Sequence, residues 1–178
     1  MASSSGKVKR RPRGRSVALP PGTEVVVCPA SRCLARDCSG KLYVNRWAAT
    51  EAKVLDVDGW KTVKLVPVRC WRSGCSIKNK MVYYNYVAMS KKEHVWCCPY
   101  NQTMKYFFVA NDWGVSVRWL QQMSRRLVYH FASFRGEAKV HEAEAKVQGQ
   151  THLVPDKAHL KLLHAWLLWR LVLTLVDM

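Results

Sequence analysis

Seven cysteines, Cys28, Cys33, Cys38, Cys70, Cys75, Cys97 and Cys98, fall between positions 28 and 98 of a 178-residue chain. Two spacings match. Cys33-Leu-Ala-Arg-Asp-Cys38-Ser and Cys70-Trp-Arg-Ser-Gly-Cys75-Ser share the interval, the following Ser and an apolar residue after the first Cys. Each is expected to form a knuckle, and four thiolates brought together suit a tetrahedral Zn2+ with Zn–S distances of about 2.3 Å. Cys28-Pro-Ala-Ser-Arg-Cys33 also has knuckle spacing, so five candidates compete for four places. Cys70, Cys75 and Cys33 lead, and Cys28 and Cys38 contend for the last. Neighbouring Arg32, Arg36, Arg69 and Arg72 would favour thiolates and offset the negative charge of such a site. The Cys97-Cys98 pair with His94 offers further donors, but adjacent cysteines fit one tetrahedral ion poorly, and burial is the expected role.

A site filled by four protein ligands leaves no position for an activated water, so the metal is expected to be structural. No catalytic residue is assigned. Asp37, Asp56, Asp58, Asp112 and Asp156 are scattered among turns and caps, and His130, His141, His152, His159 and His164 are strung along helical or loop sequence. Phosphate-cradling glycine motifs are absent. The odd cysteine count, behind a basic amino terminus with no apolar stretch, points to a reducing compartment and away from a disulfide framework.

The elements that must position the cysteines read as an α+β chain: a small, zinc-ribbon-like antiparallel β region followed by two or three helices. Residues 1–22 are expected to be a disordered basic tail and residues 23–110 a β-rich part holding the cysteines. Strands are expected at Val25–Val27, Lys41–Trp47, Val82–Met89 and Lys105–Val109, with a hairpin about Asp58-Gly59, whose residues tolerate positive φ. That hairpin lies between the two knuckles and would bring them together. At Asn111-Asp112 the period changes, and either residue can cap a helix carrying Val115, Trp119, Leu120, Met123, Leu127 and Phe131 on one side and Arg118, Arg125 and Arg126 on others. Ser133 or Phe134 opens a second, solvated helix, and together these make 111–149 the helical part. Residues 157–178 read as one more helix, apolar almost all round, expected to pack on this protein or a partner; Lys161, His164 and Arg170 argue against a membrane span.

Charge narrows the partners. Lys and Arg total 29 against 12 Asp and Glu, a net +17, so polyanions are favoured. Six of the basic residues lie in the tail; taking them from 29 leaves 23 against 12, so the tail alone does not explain the surplus. Phosphate contacts are expected from Lys9, Arg10, Arg11 and Arg13 and from Arg118, Arg125 and Arg126. Trp47, Trp60 and Trp71 are candidates for stacking on bases or for the core. The basic tail reads as a nuclear-import signal, with an organelle transit peptide as the alternative.

VVVCPASRC, the strand pair about a Gly, RCWRSGCSIKNKMVYYNY and MKYFFVANDWGVSVRWLQQMSRRLVYHFASFRGEA, in this order, resemble the cysteine-cluster domains found beside KDZ transposases (the Kyakuja, Dileera and Zisupton group). The likeness spans residues 24–141. It implies a zinc-binding accessory module that helps a transposase catalytic region recognise DNA or chromatin. The extra cysteine and the last helix depart from the pattern. The rival expectation is an assembly subunit with a structural zinc and a docking helix.

Overall fold

The computed structural model describes residues 22–89, 94–95 and 104–176, arranged as two sheets of mostly antiparallel strands with three helices. The first sheet contains β1 (Glu24–Val27), β3 (Thr50–Asp56), β4 (Gly59–Val66), β9 (Tyr106–Phe108) and β10 (Trp113–Ser116), in the order β1-β4-β3-β10-β9. The second contains β2 (Leu42–Val44), β5 (Val68–Cys70), β6 (Met81–Val82), β7 (Val87–Ala88) and β8 (His94–Val95), in that order. The basic tail and Cys97-Cys98 lie outside the described residues.

One bent hairpin joins the sheets. β3 and β4 pair antiparallel from Thr50–Leu65 to Asp56–Gly59, so the loop is Val57-Asp58 rather than Asp58-Gly59, and only Gly59 has positive φ, at 112°. A glycine closing a short loop in this way is the device that lets flanking strands keep their twist. At the open end of the hairpin, Pro67, which has no N–H for a ladder, separates β4 from β5. Its carbonyl accepts from the Asn45 N–H at 2.8 Å. Beyond it, β5 pairs antiparallel with β2 in the second sheet. Two pairings are parallel, β1 with β4 and β10 with β3, which the antiparallel expectation did not include.

Strand alternation gives the first sheet two buried faces. Ala52, Val54, Val63, Leu65, Tyr106 and Phe108 face Tyr83 and Tyr86 of the β6–β7 turn. Leu55, Trp60, Phe107, Trp113 and Val115 face the helices. The Tyr-rich stretch is thus not one strand over Val82–Met89. It is two short strands about a turn closed by the Tyr83 N–H donating to the Tyr86 carbonyl at 2.8 Å.

Helix α1 spans Val117–Tyr129 and is capped by Ser116, whose hydroxyl accepts from the Trp119 N–H at 3.1 Å. Neither Asn111 nor Asp112 is the cap. Trp113, Val115 and Val117 recur at every second position, a strand period, and the helical period starts only after them. Helix α2 (Phe134–Val147) is capped by Ser133. It is not a purely solvated helix, because Ala138, His141 and Ala145 are buried. The Trp119 indole N–H donates to His141 Nε2 at 2.9 Å. An indole can only donate, so His141 carries its proton on Nδ1, which faces Glu144 Oε2 at 3.0 Å. Helix α3 (Ala158–Val176) buries the stripe Ala158, Leu162, Ala165, Trp169 and Val172 against α2 and the sheet. Among the described residues no helix is long and apolar enough to cross a membrane.

Candidate metal centre

Cys33, Cys38, Cys70 and Cys75 converge, with their sulfurs all within 4.8 Å of one another. Cys33 Sγ lies 3.5 Å from Cys75 Sγ, and Cys38 Sγ lies 3.7 Å from Cys70 Sγ. Ligands of a tetrahedral ion at about 2.3 Å stand about 3.8 Å apart, so the residues fit a four-sulfur metal site.

Local hydrogen bonds build the two knuckles. In the first, the Cys38 N–H donates to the Ala35 carbonyl at 3.1 Å, and the Cys33 N–H donates to the Gly40 carbonyl at 2.8 Å. In the second, the Cys75 N–H donates to Arg72, the Lys78 N–H to Cys75 and the Asn79 N–H to Cys70, at 3.4, 3.0 and 3.3 Å. Gly74 at φ 81° and Asn79 at φ 63° supply the left-handed backbone that such tight turning needs. The β2–β5 pair carries both knuckles at one end, with Leu42 opposite Cys70. The sulfurs also gather backbone donors two residues onward: Ala35 N–H at Cys33, Gly40 N–H at Cys38 and Ile77 N–H at Cys75. Amides aimed at sulfur favour thiolate, which is the ligand form.

The Gly40 N–H holds the Cys38 thiol below its ordinary value. Burial pushes Cys33 up to about 12 and raises Cys75 as well. Soft thiolates in a closed set select zinc, iron–sulfur chemistry or copper(I), and leave no position for a substrate.

Cys28 is not among the four. It is buried beside them in the same apolar cluster, and burial raises its thiol. Its sulfur accepts from the Ala30 N–H, so the local knuckle geometry is present while the convergence is not. Cys38 takes the contested place because its sulfur converges with those of Cys33, Cys70 and Cys75, and that of Cys28 does not. His94 lies in β8, and Cys97 and Cys98 fall outside the described residues. Arg32, Arg36 and Arg72 are exposed around the centre, and Arg72 donates to Ser39 Oγ at 2.5 Å.

The expected phosphate-contacting residues are not gathered at this centre. Lys9, Arg10, Arg11 and Arg13 are outside the described residues. Arg118 and Arg125 are exposed on α1, while Arg126 pairs with Glu137 of α2 at 2.6 Å, so part of its charge is used within the fold. Of the three tryptophans weighed for stacking, Trp60 is core at 3% exposure. A cavity of about 400 Å³ beside the start of α1 is lined by Asp56, Asp58, Lys61, Lys105, Ser116 and Arg118. Two of its cations are already paired: Lys61 with Asp56 at 2.6 Å, and Lys105 with Glu24 at 2.8 Å. No motif in the sequence marks this network, because its members come from β1, β3, β4 and the residue before β9.

Comparison of the chain with family models, with curated proteins and with solved structures finds no match.

Proposed function

We propose that the chain is a non-catalytic module in which a structural zinc, held by Cys33, Cys38, Cys70 and Cys75, fixes a β-rich, ribbon-like platform that contacts nucleic acid. DNA is the first candidate, reached through its phosphates. The observation that carries the reading is the convergence of four cysteine sulfurs within 4.8 Å, from two knuckles held at one end of a strand pair. A net charge of +17 supplies the attraction for a polyanion, with Arg118 and Arg125 exposed on α1. On this reading the module is akin to the cysteine-cluster domains beside KDZ transposases, acts in the nucleus and leaves chemistry to a separate catalytic region.

Metal analysis of the purified chain tests the first half. A single equivalent of zinc, lost on replacing Cys70 and Cys75 by Ala, is the expected result, and a folded chain without metal overturns it. Iron in place of zinc would keep the site and reject the assignment of the ion. For the second half, duplex DNA binding should weaken steeply with salt and survive deletion of residues 1–22. Binding confined to the tail would reject the role given to α1.

A second reading, an assembly subunit with a docking helix, is favoured by one observation: Leu160, Leu167, Leu171 and Leu175 of α3 are exposed in a stripe. It expects oligomerisation through α3 and no salt-sensitive DNA binding.

A further inference from the structure

Folding usually hides tryptophan, because its large apolar surface gains most from leaving water. Trp60, Trp113, Trp119 and Trp169 follow that rule. Trp47 and Trp71 do not: they are 69% and 55% exposed, and Tyr43 is 53% exposed. All three belong to the part of the fold that carries the cysteines. Tyr43 lies in β2 directly opposite Arg69 of β5, so the two share a face of the sheet. The neighbouring pair, Leu42 and Cys70, turns the other way, into the cluster that contains the sulfurs. The Arg69 guanidinium lies 5.9 Å from the centre of the Trp71 ring, a cation–π distance, and its Nε donates to Met81 Sδ at 3.0 Å. Asn45 donates to the same sulfur at 3.6 Å, and Trp47 follows two positions later in the 3-10 turn Arg46–Ala48.

Charge on the stretches that carry these rings has one sign, the exposed Asp37 of the first knuckle lying just outside them. No Asp or Glu occurs from position 38 to 50 or from 59 to 92, the two stretches that supply β2, its 3-10 turn and β4 to β7. Lys41, Arg46, Arg69, Arg72, Lys78 and Lys80 all fall within them. Exposed flat rings interleaved with cations and free of carboxylates match a ligand that has π faces and a polyanionic backbone.

The geometry points to a stacking platform for single-stranded nucleic acid, built by Tyr43, Trp71 and Trp47, with Arg69 and Arg46 at the phosphates. The inference rests on the nucleic-acid reading above and specifies which form is bound and where. Bases inside a duplex have their faces covered by their neighbours. Rings presented on a sheet can therefore stack only on bases that are unpaired and splayed out. The metal centre underneath holds β2 and β5 in register, which fixes Tyr43 against Arg69.

The test uses the full, metal-loaded chain with fluorescently labelled single-stranded RNA and DNA of mixed sequence, the matching duplexes and vesicles of anionic phospholipid. Single strands should bind more tightly than duplex. Trp71→Ala, Trp47→Ala and Tyr43→Ala should each weaken single-strand binding by about 5- to 100-fold, with duplex binding unchanged. Trp71→Phe should retain most of the affinity, and tryptophan fluorescence should be quenched by bound bases. These side chains are exposed, and unchanged metal content with an unchanged circular dichroism spectrum confirms that each variant folds. Wild-type affinity of the alanine variants for single strands overturns the platform while duplex binding leaves the broader reading standing. Equal affinity of the native chain for duplex and single strand does the same. If no nucleic acid binds, both fall. Vesicle binding that disappears in the Trp47 and Trp71 variants assigns the rings to a membrane surface and overturns the platform.

Discussion

Asn85 holds Phe108 with both atoms of its carboxamide: Nδ2 donates to the Phe108 carbonyl at 2.8 Å, and Oδ1 accepts the Phe108 N–H at 2.9 Å. Phe108 belongs to β9, the last strand of the first sheet, so the side chain stands in for a further strand at that edge. Asn85 itself sits in the turn between β6 and β7, which ties the second sheet to the first. Because the pair is buried, Asn85→Ala leaves a donor and an acceptor without partners. The expected cost is about 2–4 kcal/mol, read as a lower denaturation midpoint at unchanged slope. Asn85→Asp should also destabilise, since a carboxylate cannot donate to the carbonyl.

Gly40 is the tightest point of the metal centre. A Cβ there would stand 3.1 Å from Cys70 Sγ and from Arg72 Cβ, and 3.3 Å from Cys38 Sγ. The same residue gives its N–H to Cys38 and accepts the Cys33 N–H at 2.8 Å. Gly40→Ala should lower metal affinity about 10- to 100-fold in a competitive chelator titration, the range seen when groups around ligands are disturbed. The helices and the first sheet should keep their native circular dichroism.

Cysteine replacement should separate the five thiols cleanly. Serine at position 33, 38, 70 or 75 removes one of the converging sulfurs and should abolish tight binding of a single metal equivalent. Cys28→Ser should keep that equivalent, with only a modest loss of stability from a polar hydroxyl in an apolar cluster. Elemental analysis of the five variants decides the matter, and a Cys28 variant that arrives without metal would refute it.

Acid should destabilise the fold through Asp56 and Glu24. Burial alone would raise the Asp56 carboxyl, but hydrogen bonds from Lys61, Ser116 and the Val57 N–H outweigh it and hold the group below its ordinary value. Burial likewise opposes the shift at Glu24, where Lys105 and Tyr106 prevail. Both groups titrate lower in the folded chain than in the unfolded one. The stability they add is therefore complete above the usual carboxylate range, about pH 4 to 4.5, and is lost as pH falls through the folded values. Lys61 has the opposite sense: burial opposes but Asp56 raises its pKa, so its share persists at neutral pH and is lost in strong alkali. Urea unfolding of Asp56→Asn between pH 2 and 6 should show a flatter acid limb than the native chain. The comparison cancels metal release at low pH, which both proteins share.

The α+β class, the cysteine cluster and the helical character of the second half were legible in the sequence, and Ser133 was one of the two starts offered for the second helix, because each leaves a short-range signal in period, spacing or capping residue. Other features were not. The Val57-Asp58 loop differs by one position from the Asp58-Gly59 expectation, since glycine serves equally as a turn residue or as the residue that closes the turn. β10 was hidden in the start of α1, where Val115 satisfies a strand period and a helix period at once. The choice of Cys38 over Cys28 depends on how β2 meets β5, a contact between distant segments that no local spacing encodes.

The cluster around the sulfurs contains no aromatic side chain among the described residues; Val68, Ile77, Val82 and Val87 are its largest buried members apart from the cysteines. Each of the other two clusters is anchored by several rings. The two ring-anchored clusters are secured by the chain's own packing, whereas the third would draw its stability from a metal held by its four sulfurs. With an ion bound to the folded form alone, every tenfold rise in its free concentration deepens that part's stability by about 1.4 kcal/mol. The stability of the cysteine-bearing sheet would then follow the metal-ion content of its surroundings, and the first sheet, tied to it by Asn85 and packed on Tyr83 and Tyr86, would share in that dependence.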